Sequence, residues 1–299
     1  AWLPRPVIQE RKNDMASIIK RKKNYSVVYN YVDEAKQVSA KQGTELEMEE
    51  NDGRDSNSSE ERLTYTSYEN DINADNAREI ENMLNKWNYL RTDGKKIAYL
   101  TFDDGPSIET TPKILETLRN NEIKATFFVL GSNVEKSDTQ KELLKEMVKE
   151  GHAIGNHGYC HNYSILYPGR VADTTAFIND MEKSENVMKS VLGDDFSTKV
   201  IRFPGGHMSW KTGNLDPVLE QHGYTYIDWN VLNGDAEGNG KTVEQLINRL
   251  KETITNLCGN DDVLVVLMHD TDAKPTTAES LQQSIDYLKS LGYEFRTLK

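Results

Sequence analysis

The chain has 299 residues, only 36% of them hydrophobic, and a mean hydropathy of −0.70, so part of it carries little apolar core. Its net charge of −12 excludes a nucleic-acid binder working by bulk charge, because neutralising phosphates takes an excess of Lys and Arg. Two cysteines exclude a disulfide scaffold and any Cys-rich zinc module, and no apolar run approaches the roughly 18 residues of a transmembrane helix.

Residues 1–90 are polar in texture. A basic cluster stands at Lys20–Lys23, and eight acids fall between Glu45 and Glu61. Asp52-Gly53-Arg54-Asp55 within that stretch predicts an irregular loop. Val28, Tyr31, Val32 and Ala35 recur at helical spacing before it. Ala77, Ile80, Met83, Leu84 and Trp87 do so after it, with Asp75 or Asn76 as N-cap. No apolar export segment follows Ala1-Trp2-Leu3-Pro4. The expectation is a mostly helical or irregular extension over 1–90, a spacer between a removed membrane anchor and the remainder of the chain.

Residues 91–299 read differently. Strands are predicted at 97–102, 125–130, 153–156, 200–203, 224–229, 263–268 and 293–296. Helices are predicted between them, near 111–121, 138–150, 172–192 and 214–221, then after a Thr242/Gln245 capping box, and around Leu281, Ile285 and Leu288. Seven strands alternating with helices imply the α/β class, a parallel sheet with helical crossovers, and one α/β barrel in place of two small domains.

In such a barrel, reactive groups gather at the C-terminal ends of the strands. Five of the predicted strands end in such groups: Asp103-Asp104, His157 with His161, Arg202, Asp228-Trp229 followed by Asp235, and His269-Asp270. The second strand ends in Gly131-Ser132-Asn133, which reads only as a loop. His157 and His161 reach one cation if the segment between them turns helically. With Asp104 as third ligand they make an open, catalytic metal pattern. A second carboxylate can then serve as base and a cationic His as acid, which is the equipment of metal-assisted amide or ester hydrolysis.

Four segments carry a family resemblance. Thr101-Phe102-Asp103-Asp104-Gly105-Pro106-Ser107, His157-Gly158-Tyr159-Cys160-His161, Arg202-Phe203-Pro204-Gly205-Gly206 and Leu267-Met268-His269-Asp270 resemble the motifs of the NodB-type polysaccharide deacetylases, carbohydrate esterase family 4. The resemblance implies a distorted seven-stranded (β/α) barrel and a hydrolase that removes acetyl groups from glycans. It implies a divalent metal, zinc foremost with cobalt or nickel able to serve, held by Asp104, His157 and His161. Asp103 would be the general base, paired with Arg202 and kept ionised by it; His269 would be the general acid, oriented by Asp235. Trp229 and Leu267 would line the acetyl pocket, and the Gly205 N–H would help hold the oxyanion. The form of the third segment is most similar to peptidoglycan N-acetylglucosamine deacetylases. That implies an N-acetylated polysaccharide as partner, no nucleic acid, no membrane contact within this chain, and an extracellular or cell-surface location. Chitin-type oligosaccharides and acetylxylan stay open as substrates, as does a non-catalytic glycan-binding role. Three positions depart from the family pattern: Gly158 stands for Ser or Thr, Gly205 for Tyr, and Ala236 for an aromatic. Gly205 predicts a more open groove wall. Cys160 reads as a packed thiol, its pairing with Cys258 left open.

Overall fold

The computed structural model describes residues 64–255 and 261–299. The helix expected near Val28, the basic cluster, the acidic stretch and Cys258 lie outside them.

The strands are β1 (Ala74–Asp75), β2 (Ile97–Asp103), β3 (Thr126–Val129), β4 (Ala153–Asn156), β5 (Val200–Ile201), β6 (Thr225–Tyr226), β7 (Val231–Leu232), β8 (Val263–His269), β9 (Glu294–Phe295) and β10 (Thr297–Leu298). The helices are α1 (Ala77–Lys86), α2 (Thr110–Asn120), α3 (Gly131–Val134), α4 (Asp138–Lys149), α5 (Tyr163–Leu166), α6 (Thr174–Leu192), α7 (Asp216–Gln221), α8 (Val243–Thr253) and α9 (Pro275–Ser290). Seven strands run in the order β6-β5-β4-β3-β2-β8-β7, all parallel, as a curled half-barrel. The set differs in two places from the one expected. The segment 224–229 yields only β6, after which the chain crosses to the opposite edge and forms β7. Two residues are too few to show a period of two, so β7 leaves no signal in the sequence. The strand expected at 293–296 is the short β9, which pairs with the foot of β2, off the seven-strand path.

Alternation along each strand separates two cores. Ala98, Leu100 and Phe102 of β2 join Leu264, Val266 and Met268 of β8 under the helices, against Leu115 and Leu118 of α2 and Leu281 and Ile285 of α9. Ile97 and Tyr99 face the other way, with Phe128, Ile227, Val263 and Val265, and fill the barrel interior. Ala77, Ile80 and Leu84 of α1 and the nearby Tyr89 belong to that interior core. Residues 74–89 therefore share a core with the barrel, although the sequence groups them with the extension. Burying an apolar side chain of this size contributes about 1.5–3 kcal/mol, so α1 helps hold the barrel shut at its foot. Its entry is fixed by Asn76, whose side chain accepts the Arg78 N–H, and β1 is held by pairing with β10. Beside it Asp75 receives the Tyr99 hydroxyl at 2.5 Å and lies 3.0 Å from Arg296 and 3.2 Å from Arg91. The capping box at Thr242 and Gln245 is present at the start of α8.

Polar groups collect at the opposite end. The β2–β8 register runs from Ile97 opposite Val263 to Asp103 opposite His269. Two residues of one interior face thus arrive side by side where both strands end. No helix among the described residues is long and apolar enough to cross a membrane.

Candidate active site

Asp103 closes β2 at 3% exposure, and Arg202, just past β5, is fully buried. Arg202 Nη1 donates to Asp103 Oδ1 at 2.8 Å and to the Thr101 hydroxyl oxygen at 2.7 Å. Its Nε donates to the Ile227 carbonyl at 2.8 Å, and its guanidinium lies 4.2 Å over the Phe128 ring. A buried charge needs such a set of partners, because desolvation of an unpaired ion costs several kcal/mol. Burial pushes the Asp103 carboxyl above the usual carboxylate range, and Arg202 works against that rise. The sense of the Arg202 effect is the one expected from sequence, but burial outweighs it.

Asp104 follows with φ of +73°, which turns its side chain away from the strand. Its Oδ1 is buried without a hydrogen-bond partner. That atom lies 3.5 Å from His157 Nε2 and 3.5 Å from His161 Nε2. One ligand atom from each of the three residues lies within 4.8 Å of the others, so the group could hold a metal ion. His157 Nδ1 is 2.9 Å from the Arg202 carbonyl, to which it donates; Nε2 is then a bare lone pair facing the cluster. Burial drags the His157 imidazole down to about 3 against the pull of Asp104, so the ring is neutral, the form a ligand requires. The other oxygen of Asp103 stands 3.8 Å from His157 Nε2, on the edge of the same cluster.

The two imidazoles do not meet along a helix. Residues 157–162 form an irregular turn, with φ of +80° at Gly158 and +48° at His161. Here the departure at Gly158 finds its reason. A Cβ at that position would stand 2.4 Å from Asp180 Oδ2. The Asp180 carboxylate instead accepts the N–H groups of Tyr159 at 2.7 Å and Cys160 at 3.2 Å, and so fixes the loop. Cys160 is exposed and is not part of the three-residue cluster.

His269 and Asp235 form a second pair. His269 Nδ1 lies 2.9 Å from Asp235 Oδ1, and its backbone N–H donates to Oδ2 at 2.8 Å. The Thr277 hydroxyl donates to the same oxygen at 2.8 Å. Burial alone would lower His269; the Asp235 charge and hydrogen bond overcome it and lift the imidazole to about 9. Asp235 in turn is held below the usual range, the same partners outweighing its own burial.

Leu267 lies one pleat below His269 at 6% exposure, and Trp229 is half-buried against the interior core, 5.7 Å from the Arg202 guanidinium. Gly205 has φ of +78°, yet the wall there is not open as the sequence predicts. A Cβ at Gly205 would stand 3.1 Å from Trp210 and 3.1 Å from the Tyr163 hydroxyl, which close the gap. Two supporting residues were given no role by the sequence reading. Asn133, read there as loop, donates from Nδ2 to the Asp104 carbonyl at 2.7 Å. Asp270 is fully buried, accepts the Thr111 hydroxyl at 2.7 Å and donates its N–H to the Asp103 carbonyl at 3.1 Å. Asp270 was marked by its place at a predicted strand end beside His269, whereas no comparable signal marks Asn133.

Fold and site together define an α/β barrel protein whose polar groups converge on the C-terminal rim, where barrels of this kind keep their reactive groups. Comparison with known proteins narrows the class. The polysaccharide deacetylase family model matches residues 90–227. A peptidoglycan-N-acetylglucosamine deacetylase of Bacillus cereus is 32% identical over 215 residues, covering 71% of this chain and 73% of that protein. A solved CE4 esterase of Streptococcus mutans is 38% identical with a TM-score of 0.68, covering 76% of this chain and 92% of that one. The catalytic domain of a peptidoglycan N-acetylglucosamine deacetylase from Eubacterium rectale is 31% identical with a TM-score of 0.58, covering 70% and 91%. The chain belongs to the polysaccharide deacetylase family.

Proposed function

We propose that the protein is a metal-dependent hydrolase that removes N-acetyl groups from N-acetylglucosamine-containing polysaccharide, with peptidoglycan as the substrate. The observation that carries the metal is the buried, partnerless Asp104 Oδ1 facing two Nε2 atoms at 3.5 Å each. An orphaned buried oxygen is costly, and a cation is the partner that this donor set fits. Asp104, His157 and His161 would hold the ion, zinc being the expected one and cobalt or nickel able to replace it. Bound there, a divalent ion supplies an acidified water and polarises the acetyl carbonyl.

The remaining groups divide the proton work. Asp103 accepts the proton of the attacking water; its burial makes it a stronger base than an exposed carboxylate. Arg202 fixes the Asp103 oxygen that does not face the cluster. His269, protonated near neutral pH, delivers a proton to the leaving amine nitrogen, and Asp235 orients it and keeps it charged. The Gly205 N–H steadies the developing oxyanion, while Trp229 and Leu267 exclude water around the acetyl methyl.

The peptidoglycan reading is supported by the names of the B. cereus and E. rectale relatives. On this reading the enzyme works outside the membrane, with a catalytic domain that takes in α1 and runs from residue 74 to 299. Acetate release from peptidoglycan, chito-oligosaccharides and acetylxylan, measured side by side, tests the substrate. Fastest release from peptidoglycan is expected. Release from acetylxylan alone would move the enzyme to ester chemistry.

A further inference from the structure

The closed wall at Gly205 is built from two loops on the catalytic rim. Tyr163 opens α5, two residues after His161, and its ring centroid lies 5.1 Å from that imidazole and 5.0 Å from Trp210. Trp210 comes from the loop after Gly205 and lies flat on Tyr167, 4.0 Å away at an angle of 8°. Its Nε1 donates to the Pro204 carbonyl at 2.9 Å. The two loops are stitched together by backbone: Lys211 N–H donates to the Arg170 carbonyl at 3.0 Å, and Ala172 N–H to the Lys211 carbonyl at 2.9 Å. The Arg170 side chain adds a bond to the Ser209 carbonyl at 2.6 Å. Tyr167 is buried at 3% exposure, whereas Tyr163 and Trp210 are each only half-buried. A rigid aromatic corner therefore stands beside a candidate metal ligand, with part of two rings left exposed.

We propose that Tyr163 and Trp210 form the wall that receives a pyranose ring of the bound glycan chain and so set the enzyme's preference for oligomers over single sugars. A pyranose offers C–H faces ringed by hydroxyls, and pinned aromatic rings with a polar edge complement that surface at little entropic cost. Tyr163 supplies both features, its hydroxyl standing 3.1 Å from where a Cβ at Gly205 would lie. The inference rests on the deacetylase reading above.

Acetate release from the tetramer and the monomer of N-acetylglucosamine tests it, with metal content measured on every variant. Tyr163→Ala is expected to raise KM for the tetramer about tenfold with a smaller fall in kcat, and to cut the tetramer-over-monomer preference in kcat/KM by a similar factor. Tyr163→Phe, which keeps the ring, is expected to recover most of that preference. If Tyr163→Ala loses metal and kcat together while the preference stays as in the wild type, Tyr163 merely props His161 and the wall is refuted. Wild-type-like KM and preference in the Ala variant refute it as well. A wild-type protein that releases acetate from neither sugar overturns the deacetylase reading first, and the wall with it.

Discussion

Replacing Asp103 with Asn is expected to lower the rate of acetate release about 10³-fold while the protein still binds its metal. The substitution keeps the shape of the side chain and leaves an amide oxygen that can accept the Arg202 hydrogen bond, now made at 2.8 Å. What it removes is the proposed base, because an amide cannot take a proton from water at neutral pH. Asp104, His157 and His161 are untouched, so metal binding should persist. The same change leaves the buried Arg202 without its counter-charge. Breaking a buried pair typically costs about 3–5 kcal/mol, though here Thr101 and the Ile227 carbonyl still engage the guanidinium and soften the loss. Thermal unfolding of Asp103→Asn should therefore show a lower Tm but a cooperative transition. Steady-state kinetics at 25 °C with metal analysis decides the matter. Turnover within tenfold of the wild type would remove Asp103 from the role of base.

Asp235→Asn is expected to move the alkaline limb of the kcat/KM profile down by about 1–3 pH units. In the wild type the His269 imidazole is lifted to about 9, burial being overcome by Asp235, with Asp103 and Asp104 adding to the effect. With His269 as the proposed acid, the ring is protonated through neutral pH, and activity is expected to fall as pH rises through about 9. Without the Asp235 charge, burial dominates, the neutral ring is favoured, and the proton leaves at lower pH. Stability follows the same sign. A His raised from 6.5 to about 9 on folding contributes stability that is complete below about pH 6.5 and is lost as pH climbs through about 9. In Asp235→Asn that contribution shrinks, so the difference in Tm between variant and wild type should be larger at pH 6 than at pH 10. An alkaline limb that stays in place would separate His269 from the proton delivered to the amine.

The barrel and its rim were legible because the long strands speak clearly. Ile97–Asp103 and Val263–His269 are apolar runs that end abruptly in ionisable residues, and a parallel register puts those ends together. Asp103, Asp104 and His269 could be read for that reason, His157, His161, Arg202 and Asp235 from their place after the shorter predicted strands, and the structure brings all seven to one end of the sheet. The supports were not legible. Asp180 lies in the middle of a helix, 21 and 20 residues from the Tyr159 and Cys160 N–H groups it accepts, and nothing in its surroundings marks it. Asn133 looks like any loop residue until Asp104 turns its carbonyl toward it. Tyr163 and Trp210 are separated by 47 positions, and their meeting over Gly205 depends on two turns with positive φ, at His161 and at Gly205 itself. Sequence spacing reports what an element does locally; it does not report which loops touch. The same limit explains α1, whose helical period was plain while its burial in the barrel foot was not.

The central claim is that acetate release depends on a cation held by Asp104, His157 and His161. Its most direct measurement is metal titration of the chelator-stripped, folded protein, with acetate release from peptidoglycan followed at each step. The stripped protein is expected to release none, recovery to saturate at one zinc per chain, and His157→Ala to show no recovery at any zinc concentration near equivalence. Full activity in the stripped protein, or full recovery in the His157 variant, would contradict it.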